Sequence, residues 1–255
     1  MLATWHHRLE LVGALVAKEF RVRYRSSALG VLWSLLNPIC FALVLYAAFR
    51  PVLQAPSEDY VAFLLAGLFP WQWFANTLAS SPAIFLTNAT LVKRTALPRV
   101  LLPVATATNH LVHFMVALCF AIPALLLTGH SPSVLWLVGI PLLLVLQSLV
   151  CLGLALALSM LNVVFRDLEH LTLVVLQLMF FMTPTIYSET LVPERLRAVF
   201  AINPMYHLVP AWRHLMLHRR LDLPALAGAA ACATVALLLG WFVHRKLEAR
   251  LAEGV

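Results

Sequence analysis

The chain has 255 residues, 62% of them hydrophobic and only 11% charged, with a mean hydropathy of +0.89. That leaves too little polar surface to cover a soluble domain, so the composition marks an integral membrane protein. The net charge of +7 fits basic residues gathered on the cytoplasmic flanks of membrane spans, and no basic patch interleaved with aromatics argues for a nucleic-acid partner.

The N-terminal stretch carries Lys18, Arg21, Arg23 and Arg25 and passes into an uncharged run from Leu29 to Phe49, close to the ~20 residues a helix needs to cross hydrocarbon. Upstream, Leu9, Val12, Val16, Phe20 and Tyr24 recur at helical steps, with Arg8, Lys18, Arg21 and Arg25 mostly off that line. A helix lying in the membrane interface has this pattern. An amphipathic helix on a soluble core would share it, but the apolar run that follows directly favours the interface. Basic residues throughout this stretch, with no small-residue cleavage site after the first apolar run, argue against a cleavable signal peptide. The run is expected to stay as an anchor.

A polar connection from Arg50 to Asp59 leads to an uncharged stretch, Tyr60 to Val92, that divides near Gly67 to Trp73. Pro70, Trp71, Trp73 and Phe74 cluster there, either at headgroup level or along a pathway. Asn88 to Arg99 is a compact basic segment with Lys93, Arg94 and Arg99, broken by Pro98, and reads as a cytoplasmic loop. From Val100 to Phe165 no Asp, Glu, Lys or Arg occurs, and Gly129-His-Ser-Pro132 supplies the turn between two spans. After the charged group Arg166 to Glu169 comes a fifth span. Between Glu189 and Leu223 charges alternate with apolar pieces too short to cross. Such a segment is expected to be re-entrant or interfacial, because irregular backbone at membrane depth needs protein or water around it.

Six spans result, about 29–50, 60–82, 101–127, 134–161, 170–188 and 224–244. An even number puts both termini on one side, and the Lys and Arg of the N-terminal flank, the 88–99 loop and the C-terminal tail make that side cytoplasmic. The 189–223 connection departs from the rule with Arg195, Arg197, Arg213, Arg219 and Arg220. An external arginine cluster would suit an anionic substrate or lipid phosphate, plain headgroup contact being the alternative.

The acids stand near span ends or in loops, so no catalytic constellation is visible. His110 with His113, and His214 with His218, are each one helical turn apart but lack a third nearby ligand, and read as polar packing rather than metal sites. Cys40, Cys119, Cys151 and Cys232 lie in apolar stretches and read as small core residues. Ion-coupled transport is disfavoured by the absence of a mid-span charge and of a three-span repeat. No G-x-x-x-x-G-K-[ST] loop occurs to cradle phosphate. If ATP drives this chain, a separate subunit must hydrolyse it and push on a cytoplasmic element. The 88–99 loop is the candidate lever and Arg166 to Glu169 a second contact, unless these charges only set topology.

Five segments carry a resemblance: Phe20 to Pro38, Leu91 to Arg99, Asn162 to Asp167, Thr183 to Tyr187, and Asn203-Pro-Met205. In order, over essentially the whole chain, they resemble the type 2 ABC exporter permeases, and among them the Wzm-like membrane subunits of polysaccharide exporters. The resemblance implies an all-α membrane protein of six transmembrane helices with an N-terminal amphipathic interface helix (5–25), a cytoplasmic coupling helix (86–97) and short re-entrant gate helices (190–215) before the last span. It implies a homodimer in the bacterial inner membrane, partnered by two copies of an ABC nucleotide-binding subunit. No cofactor is expected on this chain, ATP and Mg residing on the partner. The implied cargo is an undecaprenyl diphosphate-linked glycan of the O-antigen type. Capsule or teichoic acid export is the first alternative, and drug or small-lipid export the second.

The residues implied to meet the ATPase are Leu91, Lys93, Arg94, Arg99, Arg166 and Asp167. Arg21, Arg23 and Arg25 are placed for the lipid diphosphate, arginine being suited to bidentate phosphate contact. Trp33, Asn37, Phe41 and Val44 form one stripe on the first span, and Gln177, Phe181, Pro184 and Tyr187 a similar one on the fifth. With Trp71 and Trp73 these supply the candidate channel-lining residues Trp33, Asn37, Phe41, Phe181 and Tyr187. Helix packing is the alternative for the same positions.

Overall fold

Long uncharged runs leave backbone N–H and C=O groups no polar solvent, and a helix satisfies them within one segment. A computed structural model describes residues 2–24, 33–53, 60–94 and 98–254; the side chains of 2–9, 22–24, 33–35, 37–38, 49–53, 93–94 and 249–254 are not among those described. Among the described residues there is no strand. The helices are α1 (Leu2–Tyr24), α2 (Trp33–Leu53), α3 (Tyr60–Ser80), α4 (Ile84–Thr87), α5 (Ala89–Arg94), α6 (Leu101–Leu127), α7 (Leu135–Val164), α8 (Leu168–Met182), α9 (Glu194–Phe200), α10 (Pro204–Met216) and α11 (Leu223–Gly254), with a 3-10 turn at Glu189–Leu191.

Four of these are long and apolar enough to cross a membrane: α3, α6, α7 and the Leu223–Glu248 part of α11. Shorter apolar helical stretches are Ile39–Ala48 in α2 and Leu168–Met182, the whole of α8. Local chemistry sets several ends. Gly129, at φ 87°, closes α6: His130 N donates to Leu125 O at 3.0 Å and Gly129 N to Leu126 O at 3.1 Å, the paired bonds of a glycine-terminated helix. Asn203 starts α10, its side chain accepting from Met205 N at 3.0 Å with Pro204 in the first turn.

Two apolar clusters hold the helices. The larger joins α2, α3, α6, α7, α10 and α11 around Phe74, Phe114, Leu143, Leu208 and Trp212. The smaller lies at the other end of the bundle, where Leu15, Ile84, Phe85, Leu102, Ala105 and Met160 meet, with Leu91, Val163 and Val243 against them. The α7–α11 contact is the closest. Ala229, Ala233, Ala236 and Gly240 lie on one buried stripe of α11, and a Cβ on Gly240 would stand 2.0 Å from Gly153 O. Small residues let the two backbones touch, as membrane helix pairs require.

Of the four cysteines only Cys151 is a buried core residue. Cys40 and Cys119 are exposed on apolar helix surfaces, Cys232 is intermediate, and all four thiols are free.

Candidate functional site

At the end of the bundle built on the smaller cluster, α5 is short but not loose. Leu91 and Val92 pack against the smaller cluster, which is built from residues of α1, α4, α6 and α7. Polar contacts tie α1 to the same region: Lys18 Nζ donates to Asn88 Oδ1 at 3.0 Å, and Glu19 accepts from Thr106 Oγ1 at 3.2 Å and Asn109 Nδ2 at 2.9 Å. Arg99 is half-buried and its guanidinium donates to the Glu248 carbonyl on α11. Arg166 and Asp167 are exposed on the turn between α7 and α8, and Arg21 is exposed on α1. The side chains of Lys93, Arg94 and Arg23, and residue Arg25 as a whole, lie outside the described residues.

The candidate channel residues divide. The side chains of Trp33 and Asn37 are outside the described set. Phe41 (37% exposed) and Phe181 (59% exposed) present open ring faces, both against Phe180, at 5.8 and 5.5 Å between centroids. Trp71 backs the same ring at 5.5 Å, and Tyr187 Oη donates to the Phe181 carbonyl at 2.9 Å. Trp71 and Trp73 are themselves buried. Trp73 stacks on Phe114 at 4.7 Å, so both rings fasten α3 to its neighbours.

At the opposite end the resembling segments Thr183 to Tyr187 and Asn203-Pro204 meet. Asn203 Nδ2 donates to Thr183 Oγ1 at 2.7 Å. The chain beyond α8 is irregular yet buried from Thr183 to Ile186, so its carbonyls need donors. Arg213, only 2% exposed, supplies them: Nη1 to Pro184 O at 2.7 Å, Nη2 to Thr185 O at 2.7 Å and Nε to Phe63 O at 3.2 Å. The guanidinium also lies 3.4 Å from the centre of the Phe63 ring, a cation–π contact. Gly67 makes the room, since a Cβ there would fall 2.5 Å from Nη2. Arg213 therefore does not belong to an external arginine cluster: it is an internal clip. A second buried bridge runs through Gln147, which donates to Pro70 O and accepts from Trp212 Nε1, both at 2.8 Å.

His214 sits beside the clip. Its Nδ1 is 2.7 Å from Asp222 Oδ2 and its Nε2 is 3.1 Å from Glu189 Oε1 and 3.2 Å from Arg220 Nη2. The charged ring donates to both acids, whereas the neutral ring keeps one donor and can accept from Arg220. The hydrogen bond from His214, above all, holds the Glu189 carboxyl down at about 2. With both ring nitrogens facing charged side chains, His214 is a connector between the 3-10 turn and the start of α11. The His214–His218 spacing was visible in the sequence. Glu189, Asp222, Gln147 and the Arg213–Gly67 pair carried no local signal, because their partners come from other elements.

Residues 10–217 match the profile described as "ABC-2 type transporter". The chain belongs to the ABC-2 type transporter family. It is thus a multi-pass membrane protein of the ABC transporter permease type, a membrane subunit rather than an ATPase. An O-antigen export system permease protein RfbA of Klebsiella pneumoniae is 33% identical over 244 residues, covering 96% of this chain and 94% of that protein. The RfbA protein of Myxococcus xanthus is 30% identical over 246 residues, 95% and 93% of the two chains. The polysialic acid transport protein KpsM of Escherichia coli is 20% identical over 208 residues, 81% of each.

Proposed function

We propose that this chain is the permease of an ATP-driven exporter that moves a lipid-linked polysaccharide of the O-antigen type outward across the bacterial inner membrane. The observation that carries the proposal is similarity along nearly the whole chain to O-antigen export permeases, 33% over 96% of its length in one case. Capsule-type export is the second reading, supported by the more distant 20% similarity to a polysialic acid transport protein.

In this reading six helices cross the membrane, α2, α3, α6, α7, α8 and α11, with α1 at the interface and both termini cytoplasmic. Helix α8 has 15 residues, a rise of roughly 22 Å, and completes its crossing through the irregular Thr183 to Tyr187 segment. Such backbone is tolerable at membrane depth because Arg213 and Asn203 satisfy it. Helices α9 and α10 form the re-entrant gate. The chain works as a homodimer with two copies of an ABC nucleotide-binding subunit, which holds ATP and Mg; this chain binds no cofactor of its own.

Helix α5 is the coupling helix. The packing of Leu91 on the cluster shared by α1, α4, α6 and α7 supports that role, since a push on α5 reaches that cluster. Lys93 and Arg94 on α5, together with Arg99, Arg166 and Asp167, are the ATPase contacts in this reading. Arg21, Arg23 and Arg25 meet the lipid diphosphate. Trp33, Asn37, Phe41, Phe181 and Tyr187 flank the glycan path, aromatic faces stacking on sugar rings without fixing them, with Trp71 and Trp73 as their support.

The test is reconstitution with the cognate ATPase and a lipid-linked glycan. Glycan should reach the opposite side of the vesicle only with ATP and the partner present; transport without either refutes the proposal. Replacing Arg21, Arg23 and Arg25 by Gln should impair transport while leaving assembly with the ATPase intact.

A further inference from the structure

A cavity of about 550 Å³ opens between α1, the end of α3, α4, and the first turns of α6 and α8. Its volume falls in the range of small-molecule sites, ~300–1,000 Å³. Three charged side chains line it, Lys18, Glu19 and Glu169. Glu19 receives hydrogen bonds from the neutral donors Thr106 and Asn109. Among the described residues neither glutamate has a basic partner at ion-pair distance. Asn109, 1% exposed, lines the same cavity, and its Oδ1 accepts no hydrogen bond.

A half-buried carboxylate with no counter-charge among the described residues, that of Glu19, and a buried acceptor without a donor both cost free energy where water is scarce. Both are answered by a single cation that carries N–H donors. The ammonium of Lys18, 3.0 Å from Asn88 Oδ1, is a positive group on the wall and suits the anionic half of the same molecule. A quaternary ammonium would supply charge without N–H donors, and a glycerol headgroup would supply hydroxyls without charge.

We propose that this cavity binds the headgroup of a zwitterionic phospholipid bearing a primary ammonium, with the ammonium toward Glu19, Glu169 and Asn109 Oδ1 and the phosphate toward Lys18. The proposal rests on the reading above in placing α1 and the α3–α6 connection at the membrane interface. Such a headgroup touches α1, α6 and α8, so its presence ties α8 to two of the elements that a push on α5 reaches.

The test uses the full-length chain in nanodiscs containing phosphatidylglycerol with equal fractions of phosphatidylethanolamine and phosphatidylcholine. The protein is released gently and its retained lipids are counted by native mass spectrometry. Ethanolamine lipid should be retained about tenfold over choline lipid, the ratio expected from one charge-assisted hydrogen bond. Glu169→Gln, an exposed position, should reduce that preference without altering the unfolding temperature, and the Glu19→Gln/Glu169→Gln pair should abolish it. Soluble phosphoethanolamine should not displace the lipid. Equal retention of the two lipids, a preference unchanged in the double variant, or displacement by the soluble headgroup would each overturn the assignment. Retention is read without ATP or the ATPase, so its failure is distinct from a failure of the export reading.

Discussion

Replacing Arg213 by Met keeps the apolar stem and removes the guanidinium. The two bonds of 2.7 Å to Pro184 O and Thr185 O are lost, and both carbonyls remain in a buried, irregular segment. Each unpaired buried acceptor costs about 1–3 kcal/mol. Against this stands the recovered cost of desolvating a cation, which makes buried charges weak net stabilisers. Among the described residues no other donor reaches these carbonyls, and the segment cannot become helical through Pro184, so the balance should come to about 3 kcal/mol of lost stability. For a chain of this size that corresponds to a drop of roughly 6–12 °C in the unfolding temperature, read by thermal unfolding in nanodiscs. Arg213→Lys should fall between, because one ammonium cannot span carbonyls that the planar fork bridges. Gly67→Ala should resemble Arg213→Met, since its Cβ would stand 2.5 Å from Nη2. An Arg213→Met chain that unfolds within about 2 °C of wild type would refute the clip.

Gly240→Ala should separate α7 from α11, because the new Cβ would meet the Gly153 carbonyl at 2.0 Å. About 1–3 kcal/mol should be lost to overpacking, while Gly13→Ala, with nothing within 4 Å in the middle of α1, should leave the unfolding temperature unchanged or slightly raised. Glu189 is held at about 2 against an ordinary 4.5. A depressed acid stabilises the fold above its unfolded pKa and loses that contribution as pH falls through the folded one. Stability should therefore decline between pH 4.5 and about 2, and Glu189→Gln should flatten that limb in a pH series of unfolding curves. Leu91→Ala should shrink the anchor of α5 and lower ATP-driven transport several-fold more than it lowers binding of the ATPase, measured by transport and pull-down on the same preparation.

Helical class and the long apolar spans were legible because both follow from composition and run length: Val100 to Phe165 carries no charge and becomes most of α6 and α7. The 189–223 segment was legible as unable to cross, and its Asn203-Pro204 start announces a helix cap. The role of its arginines was not. Arg213 is one basic residue among several in the sequence, and only the approach of Gly67 and the Thr183 to Ile186 carbonyls makes it internal. Trp71 and Trp73 likewise gave no local sign of which way they face, since an aromatic pair in an apolar run suits a channel wall and a helix contact equally.

The order of amino acids by itself determined that this chain is helical and lives in a membrane, because hydrocarbon length and backbone hydrogen bonding act on each segment separately. Tertiary structure alone decided which polar groups face one another: Arg213 with the carbonyls of a broken helix, Gln147 with Trp212, His214 with Glu189 and Asp222, and Glu19 with Asn109. Nearly all of those pairings join residues far apart in the chain, and burial makes each polar group depend on a partner from another element.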